Sequence, residues 1–198
     1  MLLLAFDTST PAVTVAASTG ESRTEVVSNR HGELLAPLVR EVLGGRRPDG
    51  IVVGLGPGPF TGLRVGIVTA KTMGHALGVP VHGVCSLDAL ATPGGAVATD
   101  ARRREVYWAR YDAAGARVEG PAVAKPGDVA EALRAAGVTH VAGEGPRRYP
   151  EAFAGFEAGE AYPDALRLLG APRTADLTPL YLRRPDATPP GPRKKVTA

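Results

Sequence analysis

One pattern of strand, aspartate, turn and strand occurs twice in this chain, and that repetition constrains its fold more than any other feature. Leu2 to Phe6 is an apolar run that reaches Asp7, turns through Thr8-Ser9-Thr10-Pro11 and resumes as Ala12 to Ala17. Gly94 to Thr99 reaches Asp100, turns through Ala101-Arg102-Arg103 and resumes as Glu105 to Tyr111. Val13 and Val15 follow the first aspartate at the same distances as Val106 and Trp108 follow the second. A second echo pairs Ile51 to Pro57 with Val141 to Pro146, each an apolar run ending in a glycine turn. A helix-period stretch precedes each: about Glu33 to Leu43, with apolar residues at 34, 35, 38, 39, 42 and 43, and Gly127 to Ala136. Alternating strands and helices predict an α/β layered fold with a largely parallel sheet, and two such halves predict an internal duplication around a cleft. The expected division is 1–92 for the first half and 93–184 for a shortened second. A basic, Pro-rich tail follows at 185–198, ending Pro192-Arg193-Lys194-Lys195, and is expected to be disordered.

Composition fits a folded protein of one ordinary domain or two small ones. The 198 residues are 44% hydrophobic and 22% charged, and 25 Gly with 18 Pro call for many turns. No apolar run approaches the roughly 18 to 20 residues of a membrane helix. The first residues lack a basic lead and meet Asp7 too early for a secretory signal, so no membrane is expected. Cys85 is the single cysteine, which excludes an internal disulfide and a Cys-rich zinc cluster. A cytoplasmic protein is the expectation. The net charge of +3 permits contact with nucleic acid without requiring it.

Three local motifs carry chemistry. Asp7, Thr8 and Ser9 place a carboxylate and hydroxyls at the end of a buried-type strand, as Asp100 does in the second half. Such a turn can cradle a phosphate while the aspartate holds a metal or water, or its side chains can simply cap the turn. Gly54-Leu55-Gly56-Pro57-Gly58-Pro59-Phe60-Thr61-Gly62 runs from a strand into a helix but is neither a Walker A loop nor a dinucleotide fingerprint. Its two prolines remove amide donors and favour a rigid structural turn. The helix over 61–77 has one apolar stripe at Leu63, Ile67, Ala70 and Leu77 and another of small residues around Met73. The second stripe must meet either the helix over 33–43 or another protein chain, and the protein partner is the expectation. The four histidines show no metal-ligand spacing, and no Gly-x-Ser-x-Gly elbow occurs. Arg102-Arg103-Arg104 reads as solvated charge or as a contact for RNA phosphate.

Leu4-Ala5-Phe6-Asp7-Thr8-Ser9-Thr10, Gly56-Pro57-Gly58-Pro59-Phe60-Thr61-Gly62-Leu63-Arg64-Val65-Gly66, Asp100 to Tyr107 and Pro179-Leu180-Tyr181-Leu182-Arg183 resemble the TsaB (YeaZ) family. Pro59 and Gly32 stand where that family usually has Ser, and the second half is shorter than typical. The resemblance implies a duplicated actin-like, Hsp70-like ATPase (ASKHA) fold with two βββαβα-type subdomains. It also implies a non-catalytic subunit of the machinery that makes threonylcarbamoyladenosine in tRNA. The partners implied are the catalytic paralogue TsaD, a second copy of the chain when TsaD is absent, and the small ATPase TsaE, with tRNA met only indirectly or weakly. TsaD carries its metal on a His-x-x-x-His pair, whereas here the stretch Val84 to Leu90 has no histidine. Pairing is implied through the two first-half helices, at Leu35, Leu38, Val39 and Val42 and at Gly62, Val65, Gly66, Thr69, Met73 and Ala76. No cofactor is expected beyond weak or vestigial ATP or ADP binding at Asp7, Thr8, Ser9 and Asp100. The rival readings are an ATP-binding enzyme of the actin-like superfamily and a glycoprotease-type metallopeptidase.

Overall fold

A computed structural model describes residues 1–27 and 29–183; the expected basic tail lies outside the described residues. The first sheet takes five strands: β1 (Leu3–Asp7), β2 (Ala12–Ala17), β3 (Ser22–Val26), β4 (Gly50–Gly54) and β5 (Val81–Val84). Their order is β3-β2-β1-β4-β5. The second sheet repeats it as β8-β7-β6-β9-β10, from β6 (Ala96–Asp100), β7 (Val106–Tyr111), β8 (Arg117–Ala124), β9 (His140–Ala142) and β10 (Glu157–Ala158). The duplication is therefore one of topology. The expected largely parallel sheet is corrected, however. In each half the first three strands form an antiparallel meander, and only the last two pair parallel. Short turns at Thr8–Pro11 and Ala101–Glu105 permit only antiparallel return, while the helical crossovers enforce parallel pairing.

Alternation along β1 sorts its side chains between two cores. Leu4 and Phe6 face α1 (His31–Leu43) and α2 (Phe60–Leu77), with Leu35, Leu38, Val39, Val42, Leu63 and Ile67. Ala5 faces the other side with Ala16, Val52 and Val84. The apolar spacing of α1 gives a buried stripe, and Gly44 ends the helix at φ 56° with its N–H on the Arg40 carbonyl. In the second half α3 (Pro126–Ala135) covers Val106 and Trp108, but α4 (Gly145–Arg148) is a single turn where α2 has eighteen residues. This is the shortening.

The chain past β10 does not stay with the second sheet, which corrects the expected boundary. Helix α5 (Ala165–Leu168) packs Ala165 and Leu168 on the alanine face of the first sheet. The Ala165 N–H donates to Thr14 Oγ1 at 3.1 Å. Thr174 then bridges Gly83, and the Leu180 N–H reaches the Leu55 carbonyl at 2.9 Å. The small side chains of Ala5 and Ala16 on that face leave room for Ala165 and Leu168 of the returning segment. Among the described residues, no helix is long and apolar enough to cross a membrane.

Candidate functional site

The cleft between the two halves is floored by the β1–β2 turn. Asp7 is fully buried. Its Oδ1 accepts from the Ser9 N–H and the Ser9 hydroxyl, both at 2.7 Å, and its Oδ2 accepts from the Ser86 hydroxyl. Ser86 Oγ in turn accepts from the Gly56 N–H at 2.9 Å. Burial raises the Asp7 pKa above the ordinary carboxylate value, with the serine hydrogen bonds and His31 opposing that shift. Thr8 donates to the Gly62 carbonyl at 2.7 Å, and the His31 ring meets the Thr10 carbonyl at 2.7 Å.

The glycine motif is shaped around this turn. A Cβ at Gly54 would lie 1.7 Å from Asp7 Oδ2, one at Gly58 2.2 Å from the Ser9 carbonyl oxygen, one at Gly62 2.4 Å from the Thr8 carbonyl oxygen, and one at Gly66 2.5 Å from Thr8 Oγ1. Glycines at every fourth position therefore receive the Asp7–Ser9 turn as a key in a slot. The glycines serve close packing of backbone on backbone, and the motif is structural.

The expected nucleotide residues are engaged within the fold to different degrees. Asp7 and Ser9 are engaged with each other and with Ser86 inside the fold, so neither presents a free oxygen to the cleft. Of the four residues, Thr8 lines the cleft, a cavity of about 390 Å³ shared with Thr10, His31, Pro59, Gly62 and Arg102. Asp100 is held in its own half by Arg148 at 3.2 Å, the Tyr149 hydroxyl at 3.3 Å and the Arg102 N–H at 3.1 Å. Two prolines remove amide donors where a phosphate cradle needs them. The residues present do not fit a magnesium-phosphate group, because the carboxylates are already saturated by the protein's own donors. Among the described residues, no three metal-ligating side chains come together.

The expected interface residues divide in two. Leu35, Leu38, Val39 and Val42 are buried beneath α1, and Gly62 and Gly66 are buried against Thr8. These six are enclosed within the protomer and cannot meet a partner, which corrects their assignment. Val65, Thr69 and Met73 are half-buried and Ala76 is exposed. With Phe60 and Val68, the latter 58% exposed, they make the outer face of α2. Gly32, Phe60, Thr61, Arg64, Val65, Val68 and Thr69 line a shallow groove there. The small-residue stripe thus faces inward at its glycines and outward at Ala76, while Met73 packs in part against the core of the first sheet.

Two clusters escaped the sequence reading. Tyr111 donates to Asp88 at 2.8 Å beside Arg117 at 3.5 Å, above Cys85, whose thiol is pushed up to about 11 by burial and by Asp88. Phe60 stacks on Tyr181 with ring centroids 5.1 Å apart, and the Arg64 guanidinium lies 3.7 Å from the Phe60 ring centre. Residues far apart in sequence build both, so no local signal announced them. Phe60 lines the shallow groove on the outer face of α2, while its neighbours Pro59 and Thr61 line the cleft.

Comparison with known proteins agrees with this architecture. The family model described as TsaD: tRNA N6-adenosine threonylcarbamoyltransferase matches residues 14–157. An uncharacterized protein of Mycobacterium leprae is 45% identical over 95% of this chain and 56% of its own length. The tRNA threonylcarbamoyladenosine biosynthesis protein TsaB of Escherichia coli is 35% identical over 56% of this chain and 55% of its own. The chain thus spans little more than half the length of these two relatives. A solved structure of YeaZ from Pseudomonas aeruginosa superimposes with a TM-score of 0.72 at 34% identity, covering 86% of this chain and 90% of that one.

Proposed function

Because the chain belongs to the TsaB (YeaZ) family, we propose that it is a subunit in the biosynthesis of threonylcarbamoyladenosine in tRNA, and that it acts by docking rather than by catalysis. The partner is a TsaD-type paralogue, met through the outer face of α2. The observation that carries this reading is an asymmetry between cleft and surface. In the cleft, both Asp7 oxygens are consumed by Ser9 and Ser86. On the surface, the outer face of α2 keeps Phe60 and Val68 exposed beside the half-buried Val65 and Met73. Exposed apolar strips bordered by polar residues, here Arg64, Lys71 and Thr72, mark protein–protein contacts. A second copy of the chain would use the same strip when the paralogue is absent, and recruitment of a TsaE-type ATPase would follow from the assembled pair.

The test is reconstitution of threonylcarbamoyl transfer to tRNA with and without the paralogue. The chain is expected to be required and to be inert alone; turnover by the isolated chain would overturn the reading. Val65→Asp with Val68→Asp is expected to abolish association with the paralogue in light scattering while leaving the fold intact. Undiminished association would move the interface elsewhere.

A further inference from the structure

A further cavity opens where three segments of the chain meet, and it shares no lining residue with the cleft or with the groove on α2. Its volume of about 520 Å³ lies within the range of small-ligand sites. The turn after β5 supplies Asp88, the β7–β8 hairpin supplies Tyr111 and Arg117, and the returning segment supplies Arg167. Ala91 and Ala171 belong to its apolar wall. A few charged groups converging on an otherwise apolar concavity are the ordinary make-up of a ligand pocket.

These groups are held in place but only in part satisfied. The Asp88 side chain is 9% exposed. Its two partners, the Tyr111 hydroxyl at 2.8 Å and Arg117 Nη1 at 3.5 Å, both sit on Oδ1. Among the described residues Oδ2 accepts no hydrogen bond, although each oxygen of a carboxylate has room for two. Burial raises the Asp88 pKa, and the Tyr111 hydrogen bond and the Arg117 charge oppose that shift without cancelling it, so the carboxylate still gains from a further donor. Arg167 is the complementary case. Its Nη2 donates to the Ala91 carbonyl, which pins the guanidinium against the cavity, and among the described residues it has no carboxylate partner. A simple cation entering here meets the guanidinium groups of Arg117 and Arg167, and a simple anion meets Asp88. A molecule that carries both charges is repelled by neither.

We propose that this cavity binds a free aliphatic amino acid as its zwitterion, with the ammonium on Asp88 Oδ2, the carboxylate on the Arg167 guanidinium and the side chain against Ala91 and Ala171. The planar fork of arginine matches a carboxylate, and a carboxylate short of donors is the natural seat of an ammonium group. Because each half and the returning segment contribute one wall, a bound ligand ties all three together. The inference goes beyond the docking reading and does not rest on it.

The experiment titrates the full chain by calorimetry with three probes of similar size: L-leucine, 4-methylpentanoate, which lacks the ammonium, and L-leucinamide, which lacks the carboxylate. L-leucine is expected to bind about tenfold or more tightly than either of the others, as the loss of one charge-assisted hydrogen bond requires. It is also expected to raise Tm as it saturates the site. Asp88→Asn keeps an acceptor for Tyr111 and removes the charge. It is expected to weaken L-leucine about tenfold and to leave 4-methylpentanoate bound as well as L-leucine. Arg167→Gln, at an exposed position, is expected to do the reverse and leave L-leucinamide bound as well as L-leucine. Should Asp88→Asn fail to fold, Arg167→Gln decides the matter alone. No binding of L-leucine, equal binding of all three probes to the parent, or an unchanged order of affinities in Arg167→Gln overturns the proposal.

Discussion

At the scale of single residues, the fold turns on how closely a carboxylate and a glycine approach. Gly54→Ala would thrust a methyl group into Asp7 Oδ2, with the Ser86 hydroxyl 2.7 Å from the same point, and nothing there is the free end of a flexible chain. We expect a loss of about 3 kcal/mol or more by urea denaturation. Gly127→Ala, in a helix with nothing within 4 Å, is the control and is expected to be neutral or stabilising by up to about 1 kcal/mol. Asp7 also gives the chain a pH dependence. Burial raises its folded-state pKa above the unfolded value, so the folded protein holds the proton more tightly than the unfolded chain. Its contribution is full below the ordinary carboxylate range and is lost as pH rises through the raised value. Asp7→Asn keeps an acceptor for Ser9 and cannot ionise. Its stability is therefore expected to decline less than the parent's as pH rises from about 4, read as Tm against pH; parallel profiles would show that Asp7 is not the titrating group.

At the scale of elements, α2 is one helix with two environments. Its inner residues, among them Leu63, are fully enclosed against the first sheet, whereas Val68 faces outward. Leu63→Ala is expected to cost about 2–5 kcal/mol in denaturation midpoint analysis. Val68→Asp is expected to change stability by no more than about 0.5 kcal/mol and to act on association alone. A large stability loss at Val68 would mean that the outer face is covered within the protomer. Periodicity showed that this helix was apolar on more than one side. It did not show that Gly62 and Gly66 of the small-residue stripe fit the Thr8 turn while Ala76 is exposed. Glycine looks the same in a sequence whether a neighbouring strand or a partner helix takes up its missing side chain.

At the scale of the whole molecule, the two halves are joined by more than one covalent link. Cys85, Leu87 and Leu90 of the first half pack with Val97, Ala109, Tyr111 and Ala142 of the second. Leu180 packs against this cluster and against the core of the first sheet. Arg183 then pairs with Glu105 across the same junction. Leu180→Ala is expected to cost about 1–3 kcal/mol and to raise amide exchange through residues 165–183 before the rest of the first sheet opens. Exchange that rises only on global unfolding would show that the returning segment is not a separate unit.

The repeated strand-aspartate-turn pattern, the glycine motif and the spacing of α1 were legible because they are local. Hydrophobic period and turn chemistry act over a few residues, and each half states them in order. The mixed pairing of the sheets was partly hidden, since an apolar run looks alike in either direction. Everything that depends on which distant groups meet was decided only in three dimensions. Asp7 finds Ser86 across 79 residues, and the segment after β10 returns to the first sheet. Tyr181 of that segment stacks on Phe60. A carboxylate becomes a ligand or a buried strut, and an arginine run a solvated face or a binding surface, according to neighbours supplied by chain return. Sequence spacing determines the strands and helices; only their assembly determines which side chains are already satisfied and which remain free to act.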